Sequence, residues 1–393
     1  MGILGVIAFV VALLGSVMVH EFGHYITAKR YGMRVTEFFL GFGSRIWSIR
    51  RGETEFGLKA IPAGGYCKIS GMSPREELPD DVKPRAFYLA TVPKKLVVLG
   101  AGSFLHFLLG ILLLFTLFAG VGTSQILPTV SQVVDCVPNK SECSSTDPIS
   151  PAKSVGIEKG DRIIGINGEK RDWSDITPIL RNSANKEVTL IVIRNNEEIS
   201  IPVTLAARSV DGEIRGFLGI INEFGLVREN PIKALGSSIS TTSSIVQGSL
   251  KALIGLPTQI PSLLRQTFLG EERTADGLVG IVGVARVSGE TVSSGNLTTG
   301  EKFATFILIV ASLNIFVGIF NLLPILPLDG GHMAVAIYEG ARRASAKSRG
   351  KSDPGPVDVE KLTPITMIVF VALAFLTLLI LFADIFNPIN LNL

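Results

Sequence analysis

Gly2-Ile-Leu-Gly-Val-Ile-Ala-Phe-Val-Val-Ala-Leu-Leu-Gly-Ser-Val-Met-Val19 runs without a single charge into His20-Glu21-Phe22-Gly23-His24. The run approaches the roughly 20 residues that a bilayer-spanning helix needs. It lacks the basic start and small-residue cleavage site of a removed signal, so it reads as a retained span. Three ionisable side chains within five positions at the end of a span are expensive in hydrocarbon unless they serve a function. On a helix the H-E-x-x-H spacing puts both imidazoles on one face, able to share one zinc ion, with the glutamate beside them to take a proton. The five-residue pattern alone is weakly specific, and a pair of interfacial histidines closing a helix is the ordinary alternative.

Three further apolar stretches, residues 96–122, 303–323 and 364–386, are also long enough to span. The bulk composition agrees: of 393 residues 47% are hydrophobic and only 18% charged, with a mean hydropathy of +0.43. That profile belongs to a polytopic α-helical membrane protein. A net charge of +3 with no basic arm gives no reason to expect nucleic acid. Residues 29–95 hold 13 Lys or Arg against 7 Asp or Glu, and Arg342, Arg343, Lys347, Arg349, Lys351 and Lys361 give the last connection a basic excess too. The positive-inside rule places both segments in the cytoplasm and both termini outside, in a multi-pass protein of the cell inner (plasma) membrane. Residues 123–301, with 17 basic and 20 acidic side chains, fall on the outer face.

Chain organisation follows from these boundaries. The segments read as a first span carrying H-E-x-x-H (1–28), a cytoplasmic-side β-hairpin region (29–95), a second span (96–122), a compact β-rich domain (123–207), an extracytoplasmic amphipathic helical region (208–301), a third span ending in Leu-Asp-Gly-Gly-His (302–332), a cytoplasmic loop (333–363) and a fourth span (364–386). In the outer domain, β-rich runs at 188–193 and 199–205 alternate with turn signals at Asn167-Gly168 and Asn195-Asn196. Gly156-Ile-Glu-Lys-Gly160-Asp161-Arg-Ile-Ile-Gly-Ile-Asn167-Gly168 resembles the core of a bacterial PDZ domain, a fold that takes extended peptides at a sheet edge. In residues 29–95, strand-like pieces flank Ala63-Gly64-Gly65-Tyr66, which predicts hairpins with an unpaired edge near the histidines. Three cysteines, Cys67, Cys136 and Cys143, cannot build a thiolate cluster, so any metal must use His and carboxylate. Whether Cys136 and Cys143 are bonded is left open.

A second motif ends the third span: Asn321-Leu-Leu-Pro324-Ile-Leu-Pro327-Leu-Asp329-Gly330-Gly331-His332. A catalytic zinc wants three protein ligands and one open position, and Asp329 offers the oxygen missing from His20 and His24. The prolines and glycines unwind the helix, and irregular backbone at membrane depth lines a cavity rather than facing lipid. His332 competes as third ligand on spacing alone, and Asp329 as a mere helix N-cap is the plain alternative.

Together, His20-Glu21-Phe22-Gly23-His24 and the Asn321 to His332 motif resemble the site-two protease family of intramembrane zinc metalloproteases, in its bacterial single-PDZ branch. The likeness extends through Ala63-Gly64-Gly65-Tyr66, Arg85-Ala86-Phe87, the PDZ-like core and the fourth span. It implies zinc held by His20, His24 and Asp329, catalysis by Glu21, and support from Asn321 to the substrate backbone or intermediate. It also implies that Gly64, Gly65 and Tyr66 receive the substrate as an added strand. The implied partners are single-span membrane proteins such as anti-sigma factors or signal-peptide remnants, with a peptide or substrate ectodomain at the PDZ-like domain. Two places depart from the family pattern. Ala101-Gly102-Ser103-Phe104-Leu105-His106 stands where Gly-Pro and then Asn are usual, which leaves His106 as a group behind the ligands, an extra metal contact or a buried histidine on a carbonyl. Gly280-Ile-Val-Gly283 lacks a proline after its first glycine. A metal transporter is the competing class, but no internal repeat is visible and an ion-only site has no need of Glu21.

Overall fold

The computed structural model of the chain describes residues 2–138, 143–144, 147–210, 213–269, 271, 273 and 277–388, in two compact units, residues 1–121 with 229–393 and residues 122–228. The first unit begins with α1 (Gly2–Arg30), followed by two long strands, β1 (Val35–Arg51) and β2 (Thr54–Ile69), and then α2 (Val92–Phe115), which continues as a π-helical segment, Thr116–Val121. Both strands bend, at Gly41 and Gly43 in β1 and at Gly64 in β2, where positive φ angles suit glycine. Because of the bends each strand pairs twice. Phe38 lies between Cys67 and Phe56, and Phe39 between Tyr66 and Gly57, so one hairpin becomes a four-stranded ribbon in the order 45–51, 54–59, 35–40, 65–69, its outer pairs antiparallel and its central pair, 35–40 with 54–59, parallel. Residues 65–69 form one edge of it.

An apolar cluster of Ala28, Met33, Val35, Ile69, Phe87, Val98 and Leu99 binds the end of α1, the base of the hairpin and the start of α2. Arg85 fastens the other side of the hairpin: its guanidinium donates to both carboxylate oxygens of Glu53 at 2.7 and 2.8 Å and to the Gly32 carbonyl at 2.7 Å. Lys29 reaches the same carboxylate at 3.2 Å.

The second unit is an antiparallel sheet over one apolar core. Its elements are β3 (Thr123–Val133), α3 (Pro151–Ser154), β4 (Arg162–Ile166), β5 (Glu169–Lys170), α4 (Trp173–Arg181), β6 (Glu187–Arg194), β7 (Glu197–Thr204), a separate hairpin of β8 (Ala206–Val210) and β9 (Glu213–Phe217), and β10 (Ile220–Val227). The strand order is β10-β3-β4-β6-β7, with β5 on β4. Ile163, Ile166, Ile176, Leu190, Val192 and Leu205 fill its centre. Asn167-Gly168 and Asn195-Asn196 have positive φ and make the tight turns that the sequence marks for them. Asp161, buried, accepts both the Nε and Nη2 hydrogens of Arg194 at 2.7 and 2.6 Å. Cys136 and Cys143 are joined in a disulfide.

The first unit then resumes with α5 (Pro231–Phe268), α6 (Ile281–Ser293), α7 (Thr299–Asn321), α8 (Asp329–Ser348) and α9 (Thr363–Phe386). Among the described residues, four helices are long and apolar enough to cross a membrane: Gly2–Arg30, Val92–Val121, Thr299–Asn321 and Val359–Phe386. The region expected to be amphipathic and helical, residues 208–301, opens instead with strands β9 and β10 of the second unit and then carries one 38-residue helix, α5, packed on α2, α7 and α9. It continues through Pro257 and Pro261, where the hydroxyls of Thr258 and Ser262 donate to the carbonyls of Gly255 and Gln259 in the same turns.

Two buried ion pairs tie the helix ends together. Lys95 at the start of α2 donates to both oxygens of Glu339 in α8 at 2.8 and 2.9 Å, each side chain being 4% exposed. Asp384 near the end of α9 meets Arg273 at 3.1 Å and accepts the amides of Gly280 and Gly283 at 3.0 and 2.8 Å. A Cβ on Gly280 would lie 2.8 Å from that carboxylate, so the glycines of Gly280-Ile-Val-Gly283 let α6 start directly on Asp384.

Two outcomes are expected. Removing one partner of a buried pair leaves the other charge uncompensated, so Glu339→Ala should cost about 3–5 kcal/mol, whereas Lys95→Met with Glu339→Leu should recover most of it; denaturation of the detergent-solubilised protein measures both. Arg85, then Lys29, hold the Glu53 carboxyl down to about 2 from the ordinary 4.5. The folded-state value is the depressed one, so this attachment is fully present above about pH 4.5 and is lost as pH falls toward 2. Amide exchange at the 51–54 turn should accelerate across that window, and Arg85→Ala should abolish the dependence.

Candidate active site and metal centre

The middle of the first unit brings α1, α2 and α8 to one point. α1 and α2 approach closely because Gly23 faces the backbone of α2, where a Cβ would fall 2.7 Å from the Ala101 carbonyl. Gly102 answers from the other side: a Cβ there would be 2.5 Å from Cε1 of His20 and 2.6 Å from its Nδ1. The His20 imidazole therefore lies against bare backbone. α8 is seated by Gly330 and Gly331, whose Cβ positions would be 2.2 Å from the Leu322 carbonyl oxygen and 2.5 Å from the Ile325 carbonyl carbon. The irregular stretch between α7 and α8 thus wraps the first turn of α8 and presents Asp329 to α1.

The outcome is a triangle of donor atoms. His20 Nε2 and His24 Nε2 are 3.1 Å apart, and Asp329 Oδ2 lies 3.1 Å from the first and 3.2 Å from the second. His24 Nδ1 faces the Val98 carbonyl oxygen at 2.8 Å, and a carbonyl only accepts, so the proton of His24 sits on Nδ1 and its Nε2 presents a lone pair. Among the described residues, buried Oδ2 has no hydrogen-bond donor. A divalent cation placed between lone pairs and a carboxylate at this distance would turn their repulsion into attraction. Tetrahedral zinc with bonds of roughly 2.0–2.1 Å sets its ligand atoms about 3.3 Å apart, close to the triangle found.

Glu21, on the same helix turn, lies within electrostatic range of His20, His24 and Asp329, and the Cys67 backbone amide is within hydrogen-bonding reach of its carboxylate. That amide belongs to the 65–69 edge of the hairpin. The edge rests on α1, where a Cβ on Gly65 would be 3.0 Å from the sulfur of Met18. Burial, with the Glu21 charge adding to it, pushes the Cys67 thiol up to about 12, so it stays protonated and unreactive.

Of the residues singled out from the sequence, His20, His24 and Asp329 converge, with Glu21 beside them. His332 does not join them: it lines a small cavity with Lys95, Phe87 and Glu339. Asn321 is the last residue of α7, half-buried, and among the described residues its side chain makes no hydrogen bond to the triangle or to Glu21. Gly64 sits at the bend of β2 and Gly65 on the edge, while the Tyr66 ring stacks between Phe39 and Phe42, with its hydroxyl bonded to Glu37. Sequence reasoning missed Asn314, an amide in the interior of an apolar span and 1% exposed. An uncompensated polar group at that depth was the available signal.

The family model described as peptidase family M50 matches residues 8–352. The chain is a member of the M50, or site-two protease, family. It is 32% identical over 408 residues to "zinc metalloprotease Rip1" of Mycobacterium tuberculosis strain H37Rv, covering 100% of this chain and 99% of the relative. Rip1 of Mycolicibacterium smegmatis is likewise 32% identical over 414 residues, covering 99% and 98% of the two chains. A "putative zinc metalloprotease" of Clostridium perfringens is 28% identical, over 85% of this chain and 88% of the relative. This M50 peptidase is accordingly a zinc metalloprotease with Zn2+ as cofactor and four helices able to cross a membrane.

In an M50 site packed this closely, a methyl group at Gly102 must displace the His20 ring. Gly102→Ala is expected to weaken zinc binding at least about tenfold, as loss of ligand orientation commonly does. Metal content after equilibrium dialysis against graded chelator is the measurement.

Proposed function

We propose that the protein hydrolyses peptide bonds within or next to the transmembrane segments of other membrane proteins, with zinc held by His20, His24 and Asp329 and with Glu21 as the general base. The observation that carries this reading is the triangle of acceptor atoms at 3.1–3.2 Å, with a carboxylate beside it, built on helices of spanning length. Zinc bound there supplies a Lewis acid that polarises the scissile carbonyl and makes water acidic enough to attack at neutral pH. Glu21 takes one proton from the attacking water as its oxygen bonds to the carbonyl carbon, and returns it to the nitrogen as the C–N bond breaks. The two imidazoles stay in place because Val98 fixes one and Gly102 seats the other. Asn321, at the end of α7, would bind the substrate backbone only after an approach of the bound chain toward it.

A helical substrate hides its carbonyls in its own hydrogen bonds, so it must first become extended. The 65–69 edge offers a strand beside Glu21, and pairing near Gly65 would offset the helix bonds that are given up. Tyr66 would serve through its backbone, since its ring is held by Phe39 and Phe42.

We further assign the hairpin and residues 333–363 to the cytoplasmic side of the cell inner membrane, on the basic excess of both. Residues 122–228 then lie outside as a PDZ-like unit that binds a peptide or filters substrate ectodomains. The Cys136–Cys143 disulfide agrees with an oxidising compartment. Single-span proteins such as anti-sigma factors or signal-peptide remnants are the proposed substrates.

The test is cleavage of a purified single-span substrate with and without a chelator. Chelator should stop turnover and added zinc should restore it; Glu21→Gln should keep stoichiometric zinc while losing at least about 100-fold in rate. Substantial turnover by Glu21→Gln, or indifference to the chelator, would defeat the assignment and leave ion transport or a passive scaffold as the reading.

A further inference from the structure

His20 turns Nε2 toward the donor triangle, so as a metal ligand it must carry its proton on Nδ1. That nitrogen is buried and, among the described residues, has no hydrogen-bond partner. Its sister ligand differs, because His24 gives its Nδ1 proton to Val98 at 2.8 Å. A ligating imidazole normally donates its second N–H to a fixed acceptor, which sets both tautomer and orientation. His20 requires one too.

One helical turn beyond Gly102, on the face of α2 that carries the His20 ring, stands His106, 1% exposed. The two ring centroids are 5.0 Å apart. His106 Nδ1 lies 2.8 Å from Oδ1 of Asn314. The orientation of that amide follows from its neighbours: its other terminal atom faces the Val310 carbonyl oxygen at 2.8 Å and the Ser16 hydroxyl at 3.0 Å. A carbonyl only accepts, so the atom facing it is the NH2 group. Ser16 donates its own proton to the Ala12 carbonyl at 2.9 Å and is left to accept from Asn314. The oxygen of Asn314 therefore faces His106, and the proton of His106 sits on Nδ1. Nε2 of His106 is a bare lone pair, buried and, among the described residues, without a partner. A buried donor on His20 and a buried acceptor on His106 thus sit on rings whose centroids are 5.0 Å apart, each lacking what the other has.

We propose that His106 is a positioning residue for the metal ligand His20, its Nε2 accepting the His20 Nδ1–H at the end of the line Ala12 carbonyl, Ser16, Asn314, His106. Imidazoles joined by a hydrogen bond of about 2.9 Å have centroids roughly 5 Å apart, so a small ring rotation or one buried water completes the contact. The line braces one metal ligand from α7, α2 and the middle of α1 at once. It rests on the assignment of zinc to His20, His24 and Asp329. The competing acceptor is the Ser103 hydroxyl, also buried and unpartnered on the same helix.

The test uses the full-length protein in detergent, with zinc affinity measured by chelator competition and the d–d spectrum of the cobalt-substituted form as a second readout. Glutamine at position 106 can put an acceptor where Nε2 stands, whereas asparagine reaches only the Nδ1 position. His106→Asn and His106→Leu are expected to lose about 10–100-fold in zinc affinity and to shift the cobalt bands, with His106→Gln staying within roughly threefold of the unaltered protein and Ser103→Ala unchanged. Should His106→Leu not fold, the Gln and Asn pair decides. Unchanged affinity in His106→Asn, equal losses in Asn and Gln, activity lost at unchanged affinity, or a loss confined to Ser103→Ala would each overturn the proposal. His20→Ala separates this from the underlying reading: if that variant still binds zinc tightly, the metal-site assignment itself falls.

Discussion

Two imidazole nitrogens and a carboxylate oxygen held 3.1–3.2 Å apart repel one another unless a cation lies between them, and the rest of the first unit is arranged around that constraint. The three donor groups come from distant parts of the chain, His20 and His24 in α1 and Asp329 at the first turn of α8. Bringing them together requires three helices to approach more closely than ordinary side chains permit. Gly23, Gly102, Gly330 and Gly331 stand at those contacts, and at each a single carbon would collide with backbone or with a ligand ring. On the proposed assignment, zinc binding and helix packing are one problem, since closeness that gains no apolar burial from side chains would gain a metal bond instead.

Around the site, buried polar groups fix where helix ends go. Lys95 with Glu339 locks α8 to the start of α2, and Asp384 collects Arg273 and two glycine amides at the start of α6. Ion pairs this deeply buried contribute little net stability compared with apolar packing, but they tolerate few alternative arrangements. They therefore act on register. Asp329 can face His20 and His24 only if α8 neither slides nor rotates, and Glu339 is on the same helix.

The hairpin supplies a different property. Its bends make four strands from two, leaving residues 65–69 as an edge whose amide at Cys67 meets Glu21. An exposed edge is ordinarily a liability that proteins cover or charge. Here it lies beside Glu21, with Arg85, Lys29 and Glu53 anchoring the ribbon where it leaves α1. Rigid attachment at one end and a strand edge at the other are what the proposed pairing with an extended chain would use.

Much of this architecture is carried by local sequence. Uninterrupted apolar runs fix the spanning helices because a bilayer demands length and hydrocarbon character, and Asn-Gly and Asn-Asn dipeptides fix turns because few residues accept positive φ. The H-E-x-x-H spacing places two imidazoles on one helix face by geometry alone. Asp329 against His332 as third ligand, however, could not be settled by spacing: the packing of Gly330 and Gly331 on the 322–325 backbone turns Asp329 inward and leaves His332 beside Lys95 and Glu339. Nor does periodicity reveal that α5 continues through two prolines, that Asp384 caps α6, or that His106 meets Asn314, because each depends on groups about a hundred residues apart or more, or on hydroxyls that happen to face a particular carbonyl. Patterns of hydrophobicity and turn chemistry act over a few residues and are legible in a line of letters; which buried donor finds which buried acceptor is decided only when the helices have packed.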